Sequence, residues 1–364
     1  MNCGLIGYPL GHSYSPQIHR ALADYDYHLW PLKPEELEAF LVKRDFAGIN
    51  VTIPYKERVI PYLDQLSDTA RAIGAVNTVV NRDGKLYGDN TDLAGMLALI
   101  RRMGLVLSGK KVLVLGTGGT SKTARAAASQ LGAAEVYRVS RSGRDGAVTY
   151  RQVAEEHRDA ACIINTTPCG MYPDLGGCPV ELDGFPRLEG VVDVIYNPLR
   201  SELVLGARQR GIPAEGGLYM LAAQAAYASA LFRGCEATAG DIELAYRTVL
   251  RQMENIVLIG MPSSGKTTVG RLLAQRTGKE FVDTDALVEQ AVGMPVPDYF
   301  AAKGESAFRE REKEAVASAA ASGGKVIATG GLAKCVIPHC RRPVTLDDQL
   351  LLRGLAVMYL REMT

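Results

Sequence analysis

Apolar positions along the chain fall into short runs that alternate with longer amphipathic stretches. Compact β-like runs occur at 2–6, 48–53, 111–115, 135–139, 161–165, 191–194, 255–259 and 325–328. Between them lie stretches with a helical repeat, such as Thr91–Met103 and Lys122–Leu131, and the alanine-rich 315–321 also reads as helix. Strand and helix in alternation predict an α/β architecture with mostly parallel sheets. The helical stretch 239–253 separates two similar series and predicts a boundary near Glu254.

Composition narrows what such a chain can do. At 364 residues it has room for two to three domains, and 47% hydrophobic residues supply each with a core. Lys+Arg 41 against Asp+Glu 40 leaves a formal charge of +1, which argues against nucleic acid as a partner. No apolar run reaches 18 residues, and the opening MNCGLIGYPLGH has no basic leader, so no membrane partner is expected and the expected location is cytoplasmic. Seven scattered cysteines without a CxxC pair fit a reducing compartment better than a metal site.

Two predicted strands run directly into glycine-rich turns, about 145 residues apart. The first is KKVLVLGTGGTSKTARAAA, in which Gly116, Thr117, Gly118, Gly119 and Thr120 form the turn before a helix. Glycine there lets backbone N–H groups approach a pyrophosphate at the helix N-terminus. Ser121 stands where a third glycine is usual, so the run also fits a tight strand–helix turn without ligand. The next strand ends in Ser140 and Arg141 instead of an acid, which favours the 2′-phosphate of NADP over the ribose hydroxyls of NAD. A solvated surface arginine is the alternative.

Four segments in the first hundred residues, GYPLGHSYSP, GINVTIPYK, GAVNTVV and GDNTD, put small polar side chains at strand ends or helix starts. Taken alone, GDNTDLAG would make Asp89 or Thr91 a helix N-cap. Taken together, in this order and spacing, residues 1–253 resemble the shikimate dehydrogenase family. The resemblance implies that Ser13 and Ser15 hold the substrate carboxylate, while Thr52, Asn77, Tyr196 and Gln224 contact its hydroxyls. Lys56 and Asp92 would form the catalytic pair. Asn165 and Thr166 would form a cofactor-contacting turn, with Ile195 and Gly217 on the nicotinamide side. The chemistry needs a hydride on one face of a ring ketone and a proton for its oxygen, and a lysine beside a carboxylate can supply the proton. The expected cofactor is NADP(H), the partner a small molecule (3-dehydroshikimate or shikimate), with a homodimer as an open assembly state. The implied layout is a substrate lobe over 1–101, completed by a helix near 236–253, and a Rossmann NADP lobe over 102–235.

The second turn, GMPSSGKT, matches GxxxxGK[ST] after a strand. Gly260, Ser263, Ser264, Gly265, Lys266 and Thr268 would cradle phosphates, with Thr267 ligating Mg²⁺. With EFVDTDALVEQ and FREREKEAV, this part resembles shikimate kinase. The resemblance implies ATP and Mg²⁺ here, Asp283 assisting the metal, Asp285 holding substrate hydroxyls and Arg309 its carboxylate. An ordinary surface pair of Arg309 and Glu312 on a helix is the alternative. The family's triple glycine reads Gly330-Gly331-Leu332, and the rest of 254–364 departs from the pattern, as a frame change near Gly331 would produce. A dehydrogenase with a partial P-loop domain incompetent as a kinase is therefore expected. The alternatives are a working bifunctional enzyme and a non-catalytic nucleotide-binding module.

Overall fold

The computed structural model describes residues 1–11, 13–260, 264–321 and 323–329. The chain divides into two compact units, 1–250 and 251–364. Among the described residues, no helix is long and apolar enough to cross a membrane.

The first unit begins with β1 (Asn2–Gly7), α1 (Ser15–Leu22), β2 (Asp26–Pro31), α2 (Leu37–Lys43), β3 (Gly48–Val51), β4 (Gln65–Leu66) and α3 (Asp68–Ile73). The hairpin strands β5 (Thr78–Arg82) and β6 (Lys85–Asp89) and helix α4 (Thr91–Arg102) complete this lobe's continuous stretch. Its sheet runs β2-β1-β3-β5-β6-β4 and is mixed, because β5 pairs antiparallel with both β3 and β6. The mostly parallel pairing that is expected has its exceptions at β5, and the one with β6 has a local reason. Asp83 and Gly84 both adopt positive φ, so the chain reverses within two residues and β6 can only return antiparallel.

The second sheet is built from β7 (Lys111–Leu115), α5 (Gly119–Gln130), β8 (Glu135–Ser140), β9 (Val148–Thr149), α6 (Tyr150–Glu156), β10 (Cys162–Asn165), β11 (Gly190–Asp193), α7 (Glu202–Gln209) and β12 (Ala214–Glu215). Its order, β12-β11-β10-β7-β8-β9, is parallel throughout. Val112 and Val114 pack against α4 and α5, whereas Leu113 and Leu115 pack against the opposite layer. A strand covered on both faces is apolar at every position, which is why β7 was legible as a continuous run. Strand order reverses at β7, so the crevice beyond its carboxyl end is where a doubly wound sheet takes a ligand.

Helices α8 (Leu218–Arg233) and α9 (Ala239–Met253) follow. The sequence layout allots α8 to the cofactor lobe, but it packs against α4, α1 and β5 of the first lobe. Its alanines make this close approach feasible. A Cβ on Gly95 of α4 would lie 2.7 Å from the Met220 carbonyl oxygen, so only glycine fits at the crossing. Arg102 then lies over the rings of Tyr219 and Tyr246, at 4.3 and 4.9 Å, and ties α9 into the same layer.

The second unit contains β13 (Ile256–Ile259), α10 (Lys266–Thr277), β14 (Glu280–Asp283), α11 (Thr284–Val292), α12 (Val296–Ala321) and β15 (Lys325–Thr329). Its sheet is parallel in the order β13-β15-β14. Gly304, at φ 80° and ψ 173°, breaks α12 into two segments.

One buried carboxylate fixes the turn after β11. Asp193 accepts hydrogen bonds from Asn165 Nδ2 at 3.0 Å and Ile195 N at 3.1 Å through Oδ1, and from Ser201 Oγ at 2.5 Å through Oδ2. Burial raises its pKa from 3.8 to about 6 against the lowering effect of those three donors. An acid whose pKa is raised on folding contributes stability below its unfolded-state value and loses it as pH rises through the folded one. Replacing Asp193 by Asn should therefore flatten the pH dependence of stability between about pH 4 and 6. Urea unfolding should find the variant gaining on the parent by about 3 kcal/mol across that window, at 1.36 kcal/mol per pH unit. An unchanged difference at the two ends would show that Asp193 does not titrate in this range.

Candidate active site

A cleft of about 510 Å³ opens in the first unit, lined by Leu5, Asn50 and Val51 of the first sheet and, from the other side, by Thr120, Val194, Tyr196 and Gly217 beyond the strand ends of the second. Lys56 follows Pro54 in the turn after β3, and Asp92 lies in the first turn of α4. Lys56 Nζ donates to Asp92 Oδ2 at 2.6 Å, with the side chains 27% and 15% exposed. At that exposure a ligand can reach the ammonium while most bulk solvent is kept away.

Asp92 does not stand unsupported. Its Oδ1 accepts from Asn77 Nδ2 at 2.9 Å, and the second N–H of that amide goes to Thr91 Oγ1 at 3.0 Å. Asn77 Oδ1 accepts from Thr91 N at 2.7 Å and Thr78 Oγ1 at 3.1 Å. Asn77 was expected to meet substrate hydroxyls. It lines the cleft, but both of its N–H groups are committed to holding the start of α4. The cap of that helix is Asn90, whose side chain accepts from Leu93 N, and not Asp89 or Thr91. Asp89 instead accepts from Ser67 Oγ and Asn90 N.

The other expected substrate groups converge on the same cleft: Ser13, Ser15, Thr52, Tyr196 and Gln224 all line it. Ser13 Oγ accepts from Ser15 N at 3.2 Å, which sets both hydroxyls at the start of α1. The Tyr196 ring meets Tyr14 edge-on at 6.4 Å, and burial raises the Tyr196 pKa, keeping its hydroxyl a neutral donor. Gln224 donates to Leu221 O within its own helix. Asn50 also lines the cleft and was missed; a buried asparagine inside the apolar run of β3 was the available signal.

On the cofactor side, Gly116 has φ 107°, and a Cβ there would lie 2.8 Å from Thr166 Oγ1, so glycine is required. Gly118 begins α5 without a side-chain cap, and a Cβ on Gly118 or Gly119 would meet nothing within 4 Å. Uncapped N–H groups beside open space fit a phosphate. Ser121 is buried and donates to Gly118 O at 2.6 Å, bracing the loop where the third glycine would be. Thr117 is exposed at the crest of the loop, and Thr120 reaches the cleft. Ser140 Oγ accepts from Gly143 N, turning the chain after β8. Arg141 is exposed, with no hydrogen bond or ion pair among the described residues, and so remains available to an anion.

Two expected cofactor contacts sit differently. Asn165 is fully buried and its amide is spent on Asp193 and Thr167, so it supports the turn from beneath. Ile195 is also buried and does not line the cleft, whereas Gly217 does. A Cβ on Gly217 would lie 2.1 Å from Val194 O, which explains the glycine. Thr166 donates to Leu115 O at 2.6 Å and ties this turn to the end of β7.

In the second unit, Gly265 enters α10 at φ 83° and Lys266 Nζ donates to Gly260 O at 2.9 Å. A Cβ on Gly260 would lie 2.8 Å from Ser264 Oγ, and Thr268 is exposed in the first turn of α10. Thr267 Oγ1 donates to Asp283 Oδ2 at 3.1 Å, which brings together two hard oxygen ligands suited to Mg²⁺. Burial, Asp283 and Glu312 raise the pKa of Asp285. Arg309 pairs with Glu312 at 2.9 Å and Glu305 at 3.3 Å. Glu312 is buried, so this is not an ordinary surface pair. Ser263, Gly330, Gly331 and the tail beyond them lie outside the described residues.

Two family models match the chain. Residues 5–79 match the family model of the shikimate dehydrogenase substrate binding domain. Residues 262–337 match that of shikimate kinase, six residues past the Gly331 at which the sequence resemblance was lost. A shikimate dehydrogenase (NADP(+)) from Halothermothrix orenii is 40% identical over 264 residues, spanning 64% of this chain and 90% of that one. A chorismate mutase/shikimate 5-dehydrogenase fusion protein from Clostridium acetobutylicum superposes with a TM-score of 0.64 at 30% identity, covering 68% of this chain and 96% of its own. Shikimate 5-dehydrogenase from Thermus thermophilus, solved in complex with NADP(H) and shikimate, gives 0.61 at 32% identity over 68% and 99%. At 40% identity across nine-tenths of one of its members, the chain belongs to the shikimate dehydrogenase family.

Proposed function

We propose that the first unit reversibly reduces 3-dehydroshikimate to shikimate with NADPH, a step toward the aromatic amino acids, and that it works in the cytoplasm. One observation carries the reading: Lys56 and Asp92, 2.6 Å apart, lie in a cleft that also holds Ser13, Ser15, Thr52, Tyr196 and Gln224. Ser13 and Ser15 grip the substrate carboxylate, and Thr52, Tyr196 and Gln224 its hydroxyls. Gly118, Gly119 and the N-terminus of α5 hold the pyrophosphate, and Arg141 the 2′-phosphate.

NADPH supplies the hydride when bound. The Lys56 ammonium donates a hydrogen bond to the carbonyl oxygen, stabilises the charge that grows there and transfers its proton to it. The C=O bond thereby becomes CH–OH, and the amine, partly open to solvent, regains a proton from water. Asp92 holds one N–H of Lys56, which directs the remaining two toward the ligand. Thr120 and Gly217 line the cleft beside the cofactor loop, so substrate and cofactor share one space.

For the second unit we propose that the loop around Lys266 binds nucleotide phosphates with Mg²⁺ at Thr267 and Asp283, without kinase turnover. The kinase match ends at residue 337, and phosphoryl transfer needs further groups to exclude water and neutralise the transferring phosphate.

Purified protein should oxidise NADPH with 3-dehydroshikimate and form no ADP above background with shikimate and Mg·ATP. Lys56→Ala should lower kcat by about 10²–10⁴ with little effect on NADPH affinity; near-normal turnover would remove Lys56 from the chemistry. Arg141→Ala should raise the KM for NADPH about tenfold to a hundredfold, leaving that for NADH nearly unchanged. Equal effects on both cofactors would show that Arg141 does not read the 2′-phosphate.

A further inference from the structure

Tyr27 does not line the cleft, yet its hydroxyl is hydrogen-bonded to a residue that does. It lies on β2, the edge strand, and is separated from β3 by β1. Its side chain clusters with the short side chain of Cys3, its register partner on β1. From there its hydroxyl donates to Asn50 Oδ1 at 2.8 Å. The ring is stacked on His19 with centroids 4.0 Å apart and planes 13° apart, so the direction of the hydroxyl is fixed.

The bonds beyond Asn50 form a chain with one polarity. Because Asn50 Oδ1 accepts from Tyr27, its Nδ2 faces inward and donates to Thr78 Oγ1 at 3.3 Å and to Asn77 O at 3.4 Å. Having accepted that bond, Thr78 Oγ1 gives its own hydrogen to Asn77 Oδ1. With Oδ1 taking both this hydroxyl and Thr91 N, Asn77 presents Nδ2 to Asp92 Oδ1, and Asp92 Oδ2 receives Lys56. Asn50, Asn77, Thr78 and Thr91 are all buried, so water is poorly placed to repair a broken link.

We infer that Tyr27 is a positioning residue for the reaction, setting the orientation of Asp92 beside Lys56 through Asn50, Thr78 and Asn77. This rests on the reading of the cleft as a ketone-reducing site. The phenol suits the task because burial holds its pKa well above the usual tyrosine range, with the nearby Ser15 hydroxyl partly opposing the rise. It is therefore protonated, and a donor, at every working pH. Without that donor Asn50 Oδ1 loses its Tyr27 partner and the amide is held less firmly against Thr78 and Asn77 O; Thr91 N still keeps the polarity of Asn77, so what is lost is the exact placement of Asn77 and Asp92.

Tyr27→Phe removes only the hydroxyl and keeps the ring on His19. It should lower kcat about tenfold, the cost of one buried hydrogen bond, with the KM for 3-dehydroshikimate within about twofold. The deuterium isotope effect on kcat with NADPH labelled at the transferred position should rise as hydride transfer becomes more fully rate-limiting. Thr78→Ala, which breaks the chain one link further on, should give the same signature, and the double variant should lose little more than either single one. Circular dichroism and thermal unfolding identify a variant that fails to fold, and the other single variant then carries the test. Unchanged kcat in a folded variant, a change confined to KM, or losses that multiply in the double variant would each overturn the inference. An inactive parent protein would instead overturn the reading of the site.

Discussion

A carboxylate that must hold a lysine has to be held in turn, and in this protein Asn77 does so. Its two N–H groups clamp Asp92 and Thr91, and its carbonyl oxygen takes the N–H of Thr91 and the hydroxyl of Thr78. Asn77 is 3% exposed, so each of these bonds forms where the unpaired partner would be costly. Much of the first lobe follows from the clamp. β5 has to pass beside β3 to bring Asn77 to the start of α4, and α4 has to begin at Asn90 for Asp92 to face Lys56. α8 has to cross α4 at Gly95 for Gln224 to reach the cleft.

The second sheet follows a parallel logic with Asp193 in the central place. Its carboxyl gathers Asn165, Ile195 and Ser201 into one buried knot. That knot shapes the two turns that leave β10 and β11 at the carboxyl edge of the sheet. In each lobe an asparagine meets a carboxylate, but the consequences differ. Asp92 lies at a solvent-reachable cleft and is paired with a cation, whereas Asp193 is sealed in and offered only neutral donors. The first arrangement suits chemistry and the second suits shape.

Much of this was legible in the residues, and what was missed has physical causes. β7 and β10 are buried on both faces and so read as unbroken apolar runs. The glycine turns are forced by close approach at Gly116 and Gly217. β2 was missed because an edge strand can carry Asp26, His28 and Pro31, which hide its alternation. α8 is apolar around most of its circumference, so periodicity gives it no single face; it packs on α4 and also places Met220 in the cluster of Val112 and Val114. The inner positions of Asn165 and Ile195 escaped notice because a motif gives which residues form a turn but not which side of it faces the ligand. Asp193 carried no signal until Ser201 and Asn165 were seen around it. In the second unit Lys266, Thr267 and Asp283 were legible because a phosphate-binding loop constrains residue type tightly. The burial of Glu312 was not, since a glutamate on a charged helix normally faces water.

On this reading Lys56 and Asp92, held by Asn77, meet the reacting oxygen of a carboxylate-bearing ring. A crystal structure of the protein with shikimate and NADP⁺ tests it directly. The ring should lie in the cleft, its carboxylate on Ser13 and Ser15, and the hydroxyl to be oxidised within hydrogen-bond distance of Lys56 Nζ. A ring bound with that hydroxyl away from Lys56, or with Asp92 released from Asn77, would contradict it.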